Sequence, residues 1–139
     1  LGGGYFRTDG ISSAADGTER DGYERYAANG RVEVTLPANL ILDLRGYFSR
    51  GRSEIDGFRP DFSFGDTAEF SKIRELIGYA GLRGSFFGDR FLNRVAFTIS
   101  DIDRDNFNPA LGTSPGFTAR GRVERVEYQG DLNATDWAR

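Results

Sequence analysis

The chain has 139 residues, 38% of them hydrophobic, and a formal net charge of −3. This length fits a single domain, and the charge provides no basic footprint for nucleic acid. The absence of cysteine excludes disulfides and thiolate metal sites, and the absence of histidine excludes a serine–histidine triad and most zinc chemistry.

Six β-strands are predicted from a period of two in the hydrophobic residues. In each tract, apolar residues occupy every second position and polar or charged residues lie between them, as expected when one face of a strand is apolar. No window has a convincing helical period, so the predicted fold class is all-β. In chain order, the predicted strands cover residues 2–7, 26–36, 40–49, 75–86, 94–100 and 125–134.

Short and long connections alternate between the predicted strands. Residues 37–39 and the segment around Gly88 and Asp89 are tight turns, whereas residues 9–22, 51–71 and 103–119 are long connections. In an antiparallel up-and-down meander, all long connections would then lie at one end of the strands. Outer-membrane barrels separate short periplasmic turns from long extracellular loops in this way. Alternating tracts of about ten residues also match the length that crosses a bilayer.

The faces opposite the apolar ones carry too many charges for a packed core, because each unpaired buried charge costs several kcal/mol. A water-filled or plugged lumen would remove this cost. Aromatic residues near the strand ends are predicted to form two girdles at the membrane interfaces. The inward charges would be Arg31, Glu33, Asp43, Arg45, Arg83, Arg94, Arg125, Glu127 and Asp131. The girdles would contain Tyr26, Phe48 and Tyr128 near the long connections, and Phe86, Phe87 and Phe91 near a short turn.

A soluble β-sandwich that binds calcium is the alternative from a different class of protein. It predicts that two sets of apolar residues face each other across a core, whereas a barrel places both sets on one continuous outer surface. The first set is Leu40, Leu42 and Leu44, and the second set is Val95, Phe97 and Ile99.

Enzyme activity is not predicted. Asp101 and Asp103 form a candidate acid–base pair, but they alternate on an extended strand. The sequence around them contains no visible apolar pocket that would separate their two pKa values, as acid–base catalysis by paired carboxylates requires.

Four local patches carry a family resemblance: residues 3–10 (GGYFRTDG), 19–23 (ERDGY), 42–47 (LDLRGY) and 52–58 (RSEIDGF). With these patches the chain resembles part of the barrel of the TonB-dependent outer-membrane receptors, and most closely the vitamin B12 (cobalamin) receptor branch. The resemblance implies an open arc of a 22-stranded transmembrane β-barrel in the outer membrane of a Gram-negative bacterium. Because the first residue is Leu1 and no signal peptide, plug domain or C-terminal barrel strand is recognisable, we expect a piece of a longer protein.

The resemblance also implies a function and a set of partners. The function is active uptake of a large nutrient, with cobalamin first and a siderophore or glycan as alternatives, and long extracellular loops bind this ligand. The partners are the lipid bilayer of the outer membrane and the TonB energy-coupling system. TonB would act through an N-terminal region that the 139 residues do not include.

Acidic residues are concentrated in two of the long connections. The first holds Asp9, Asp16, Glu19 and Asp21, and the second holds Glu54, Asp56, Asp61, Asp66 and Glu69. Neighbouring hairpins would bring both connections to the same end of the sheet. Ca²⁺ takes six to eight oxygen ligands, so the two groups predict a calcium site. The alternative is that these acids solvate surface loops and cap turns.

Individual site residues follow from the resemblance to the vitamin B12 receptors. It implies that calcium is bound by Asp9, Glu19, Asp21, Asp56 and Asp66. It also implies that Ile55 and Phe58 contact the ligand. Two residues depart from the family pattern, because Glu19 stands where the family usually has Asp and Ile55 where it often has an aromatic residue.

Overall fold

The fold is a single antiparallel sheet, described by a computed structural model for residues 1–12, 14, 17 and 20–133. Its strands are β1 (Gly2–Thr8), β2 (Tyr23–Leu36), β3 (Leu40–Phe58), β4 (Phe64–Phe86), β5 (Phe91–Phe107) and β6 (Phe117–Leu132). The strands lie in sequence order, each paired with the next, so that β1 and β6 form the two edges. The predicted all-β class and the open, six-stranded, up-and-down meander are confirmed.

No helix in the described part of the chain is long and apolar enough to cross a membrane.

The strands are longer than predicted. β3, β4 and β5 have 19, 23 and 17 residues, so the prediction of about ten was wrong for the whole strands. The long connection predicted at 51–71 was also wrong, because β3 and β4 pair as far as Phe58 and Phe64 and leave only residues 59–63 between them. Apolar alternation stops near residue 49, but charged side chains continue on paired backbone, so the hydrophobic period ended before the strand did.

The connections still differ between the two ends of the sheet. Residues 37–39 and 87–90 join strands at one end, and residues 9–22, 59–63 and 108–116 join them at the other. The predicted connection at 9–22 is confirmed, and the one predicted at 103–119 is shortened to 108–116. The longer connections therefore lie at one end, which we call the loop end.

The strand register divides the sheet into two faces, which we call the apolar face and the polar face. On the apolar face, Leu42 is opposite Leu82, which is opposite Val95 on the next strand. Leu44, Ala80 and Phe97 form the next such row. The two apolar sets of the sandwich alternative therefore lie side by side on one surface and do not face each other across a core.

The apolar face has no cover in the described structure. Val32 is 57% exposed, Leu44 is 40% exposed and Val95 is 49% exposed. Among the described residues, the only buried apolar side chains are those of Ala14 and Ala96. Since an apolar sheet face must be buried against another layer or an apolar solvent to be stable, this sheet needs a covering that it does not supply itself.

Ion pairs hold together the polar face of β2, β3 and β4. Asp43 is buried between two guanidinium groups, with Arg31 Nε 3.0 Å from its Oδ1 and Arg45 Nη2 2.5 Å from its Oδ2. Glu33 joins this cluster to the next strand, because its carboxylate oxygens lie 2.7 Å from Arg31 Nη2 and 3.2 Å from Arg83 Nη2. Charges that would be costly alone are therefore paired with one another along this face.

Candidate functional site

A sharp boundary crosses the apolar face of the sheet. On each strand, an apolar or aromatic side chain is followed, at the next position toward the loop end on the same face, by a charge. From β1 to β6 these pairs are Tyr5/Arg7, Tyr26/Glu24, Phe48/Arg50, Leu76/Arg74, Ile99/Asp101 and Val126/Glu124. We call the surface on the apolar side of this line the apolar belt, and the surface toward the loop end the charged rim. Aromatic residues occur again further toward the loop end, at Phe70 of β4 and Phe107 of β5.

The boundary is inclined relative to the strands. Followed through the register, it moves by six residues from β1 to β6 and never reverses. Six residues at about 3.3 Å each correspond to about 20 Å along the strands, and five strand spacings of about 4.8 Å correspond to about 24 Å across them. The line is therefore inclined by about 40° to the perpendicular of the strands. If it marks a flat interface, the strands lean from the normal by about the 35–45° that is typical of transmembrane barrels.

The width of the apolar belt also agrees with the dimensions of a transmembrane barrel. From the boundary to the short-turn end it spans residues 26–36, 40–48, 76–86 and 91–99, which is nine to eleven residues on each of β2 to β5. Ten residues that lean by about 40° rise about 25 Å, which is the height of the apolar band of outer-membrane barrels. The amide of Asn93 lies within the belt, and the Tyr128 hydroxyl donates a hydrogen bond of 2.6 Å to its Oδ1.

The aromatic residues follow the predicted girdles in part. Tyr26 and Phe48 lie at the boundary with the charged rim, and Phe86 lies opposite Phe91 at the short-turn margin. Tyr128 differs from the prediction, because it is opposite Val95 and so lies inside the belt. On β6 the residue at the boundary is Val126, and Tyr128 is the next residue of that face toward the short-turn end.

At the loop end, Ser12 brings two of the predicted calcium ligands together. Its hydroxyl oxygen lies 3.3 Å from Asp56 Oδ2 and 3.2 Å from Asp66 Oδ1, and the backbone N–H of Ala14 donates to Asp56 Oδ2 at 2.8 Å. The other carboxylate oxygen, Asp56 Oδ1, is buried without a hydrogen-bond partner. A Cβ at Gly17 would lie 1.8 Å from Ser12 Oγ, so the close approach of the first connection to these carboxylates requires glycine there.

For two other predicted calcium ligands, Asp9 and Asp21, the structure describes different contacts. Asp9 is exposed, with Oδ1 3.9 Å from Arg7 Nε. The backbone carbonyl of Asp21 lies against Gly10, where a Cβ would be 2.0 Å from it. Glu19 lies outside the described residues. Within the described part of the chain, no group of three or more Asp, Glu, His or Cys side chains is arranged to hold a metal ion.

The structure separates the two predicted ligand contacts. Ile55 is half-buried on the polar face and lines a depression of about 400 Å³ near the loop end. Phe58 is 68% exposed, and its ring packs edge-on against Phe64 with centroids 5.7 Å apart. The depression at Ile55 combines apolar, cationic and anionic side chains, with Tyr23, Arg25, Ile73, Glu75 and Arg104 among its lining residues.

Two further polar residues at the loop end were not predicted as site residues. Ser12 bridges Asp56 and Asp66, and Asn108 Nδ2 donates to Glu69 Oε1 at 2.7 Å. Asn108 thereby ties the 108–116 connection to β4. Serine and asparagine are common in loops, and nothing in their spacing indicates which strand they contact.

Asp61 provides a pH-dependent contact in the connection between β3 and β4. The Ser63 hydroxyl and then the Ser63 backbone N–H donate hydrogen bonds to its carboxylate and hold the pKa of Asp61 below its ordinary value. Because this pKa is lower in the folded state, the contact stabilises the turn fully above the unfolded-state pKa. The stabilisation is lost as the pH falls through the folded-state pKa.

We expect an NMR titration of the intact protein to show this shift directly. The midpoint of the Asp61 carboxyl should lie below that of an unstructured peptide covering residues 59–63. The Ser63→Ala variant should raise the midpoint toward the peptide value, because it removes the stronger of the two hydrogen bonds. Equal midpoints for protein and peptide would contradict the structure of this turn.

Comparisons with protein-family models, with characterised proteins and with solved structures gave no match. The features that bear on function are therefore the apolar belt with its inclined boundary, the carboxylates joined by Ser12, and the depression at Ile55.

Proposed function

We propose that this chain is part of the barrel wall of an outer-membrane TonB-dependent receptor. The receptor takes up a large nutrient by active transport, with cobalamin first and a siderophore or glycan as alternatives. The observation that carries this proposal is the uncovered apolar belt, whose boundary is inclined by about 40° to the strand perpendicular.

A lipid bilayer is the covering that suits this belt. Apolar surface left in water costs about 25 cal/mol per Å², and the exposed side chains of the belt extend over β2 to β6. A soluble partner could also cover them, but it would not require a belt of nearly constant height on leaning strands. The two edges support the same proposal, because β1 and β6 each have one neighbour, and unpaired backbone groups are not tolerated in lipid.

The polar face suits the lumen of such a barrel. The cluster around Asp43 and the contact of Arg25 Nη2 with Glu75 Oε2 at 2.9 Å keep charges paired on this side. A lumen filled with water or with a plug domain hydrates or covers these groups. The TonB system would act through a region outside this chain.

The loop end is proposed to capture the nutrient. Asp56 and Asp66 would hold calcium together with oxygen atoms of the 9–22 connection, and Asp9, Glu19 and Asp21 remain further candidates. Ordering a loop costs about 1–2 kcal/mol per residue. A cation that fixes the first connection against β3 before the nutrient arrives therefore lowers the cost of binding. The depression at Ile55 is the proposed place of contact with the nutrient.

Cysteine scanning of β5 tests the proposed wall. The 139 residues contain no cysteine. In an intact protein from which any other cysteine has been removed, single cysteine substitutions of Val95, Phe97, Thr98 and Ser100 can each be labelled with a fluorophore. In vesicles that contain brominated lipids, we expect quenching at positions 95 and 97, which lie on the apolar face. Positions 98 and 100 lie on the polar face and serve as matched controls. Equal quenching at all four positions, or at none of them, would contradict the proposed wall.

A further inference from the structure

Four cations form a compact group on the charged rim, immediately next to the apolar belt. Arg50 of β3 is directly opposite Arg74 of β4, and Arg52 is directly opposite Lys72. All four residues lie on the same face as the belt, one or two positions beyond its last residues. On their other sides, Arg52 is opposite Glu24, Lys72 is opposite Asp105 and Arg74 is opposite Asp103. Like charges directly opposite each other on neighbouring strands destabilise a sheet, so the two cation pairs favour any anion that adds to these carboxylates.

The carboxylates nearby neutralise only part of this charge. Arg74 and Arg120 both pair with Asp103, and Arg52 Nη2 lies 3.6 Å from Glu54 Oε1. In the described chain, neither Arg50 nor Lys72 has a carboxylate within ion-pair distance. The Lys72 ammonium instead lies 4.8 Å from the ring centroid of Phe107 and 5.3 Å from that of Phe70.

Three of the four cations, Arg50, Lys72 and Arg74, line a depression of about 320 Å³ on the charged rim, and Arg52 is not among its lining residues. Its lining includes Arg50, Lys72, Arg74 and Arg120 as cations and Asp103 and Asp105 as anions, which leaves two positive charges in excess. Asp105 is itself engaged, because the Thr118 hydroxyl donates to its Oδ1 at 2.8 Å. Guanidinium groups bind phosphate oxygens in a bidentate fashion, and an ammonium group adds a point charge.

We propose that Arg50, Lys72 and Arg74 bind the phosphate group of an anionic membrane lipid, with Arg52 as a neighbouring positive charge. The inference rests on the proposed function, because the belt must contact acyl chains for the adjacent cations to lie at the level of the headgroups. A lipid phosphate fits better than a dissolved anion, since the site is continuous with the belt through Phe48 and Leu76 and lies on the face opposite the depression at Ile55.

Spin-labelled lipids test this site in the intact protein. The protein is reconstituted in phosphatidylcholine vesicles that contain either spin-labelled phosphatidic acid or spin-labelled phosphatidylcholine. The fraction of each label that the protein immobilises is measured by electron paramagnetic resonance. We expect a preference for phosphatidic acid of about fivefold or more, since juxtamembrane cations attract anionic lipids. The double variant Arg50→Gln/Lys72→Gln should reduce this preference to near one.

A matched control and a competitor make the result specific. The variant Arg90→Gln/Arg94→Gln removes the same charge near the short-turn end and should keep the preference. Added inorganic phosphate should not abolish it, and if it does, the site binds dissolved anions and the lipid proposal is wrong. Immobilised phosphatidylcholine without a preference for phosphatidic acid overturns this inference alone. The absence of any immobilised lipid overturns the proposed function as well.

Discussion

Replacing Val32 by arginine is expected to destabilise the membrane-embedded protein by about 2–4 kcal/mol, the cost of a basic side chain on the lipid face of a barrel near the bilayer midplane. Val32 is central in the part of the apolar belt that β2 contributes and is 57% exposed on the sheet. On the surface of a water-soluble sheet, the same substitution would change stability by no more than about 0.5 kcal/mol. The measurement is the free energy of unfolding by urea from lipid vesicles.

Thr35→Arg is the matched control for this experiment. Thr35 is an exposed residue of the same strand, but it lies on the polar face, opposite Ile41. An arginine there would enter the lumen and should leave the free energy of unfolding nearly unchanged. Equal effects of the Val32→Arg and Thr35→Arg variants would show that the two faces do not differ in their surroundings, and the proposed bilayer contact would be wrong.

The second large effect is expected at Asp56. The Asp56→Ala variant removes the carboxylate that accepts hydrogen bonds from the Ser12 hydroxyl and the Ala14 backbone N–H, both in the 9–22 connection. Hydrogen bonds to charged groups contribute about 1.5–3 kcal/mol. We therefore expect the affinity of the intact receptor for its nutrient, tested first with cobalamin, to fall about tenfold to a hundredfold. Removal of calcium by a chelator should produce a loss of similar size.

Asp61→Ala is the control for the Asp56→Ala variant. Asp61 lies in the neighbouring 59–63 connection and contacts Ser63 in that same connection, so its loss should leave affinity unchanged. If both calcium removal and Asp56→Ala leave cobalamin affinity unchanged, the calcium hypothesis is wrong. If the intact receptor does not bind cobalamin but binds a siderophore or a glycan, the alternative substrate class replaces it.

The hydrophobic period was sufficient to predict the strands and their faces, but not the ends of the strands. Alternation between Leu40 and Phe48 identified β3 because every second residue is apolar. From Arg50 to Asp56, every second residue is charged, and the period disappears although β3 continues to Phe58. A strand that leaves an apolar environment keeps its hydrogen bonds and changes only its side chains, so hydrophobicity alone cannot locate its end.

The candidate site was harder to predict from the sequence than the sheet was. The concentration of acidic residues indicated only a region, and the resemblance to the vitamin B12 receptors singled out Asp56 and Asp66, which the structure brings together through Ser12. The residue that joins them, Ser12, lies more than forty positions before Asp56, and its contact depends on how the 9–22 connection folds back over β3. Such a contact has no periodic signal, because it is created by the path of a connection.

In the proposed receptor, the length of β3 and β4 would affect how the loop end selects its ligand. Ten residues of β3 and twelve of β4 continue beyond the boundary as strands, paired except at a register shift between Ile55 and Gly57. At a lean of about 40°, the ten residues of β3 rise about 25 Å above the belt. In the proposed receptor, this part of the mouth would be a fixed wall, and a ligand that binds to it would have little backbone motion to arrest. Its specificity would change mainly through substitutions on these strands, one side chain at a time, and only secondarily through changes in loop length.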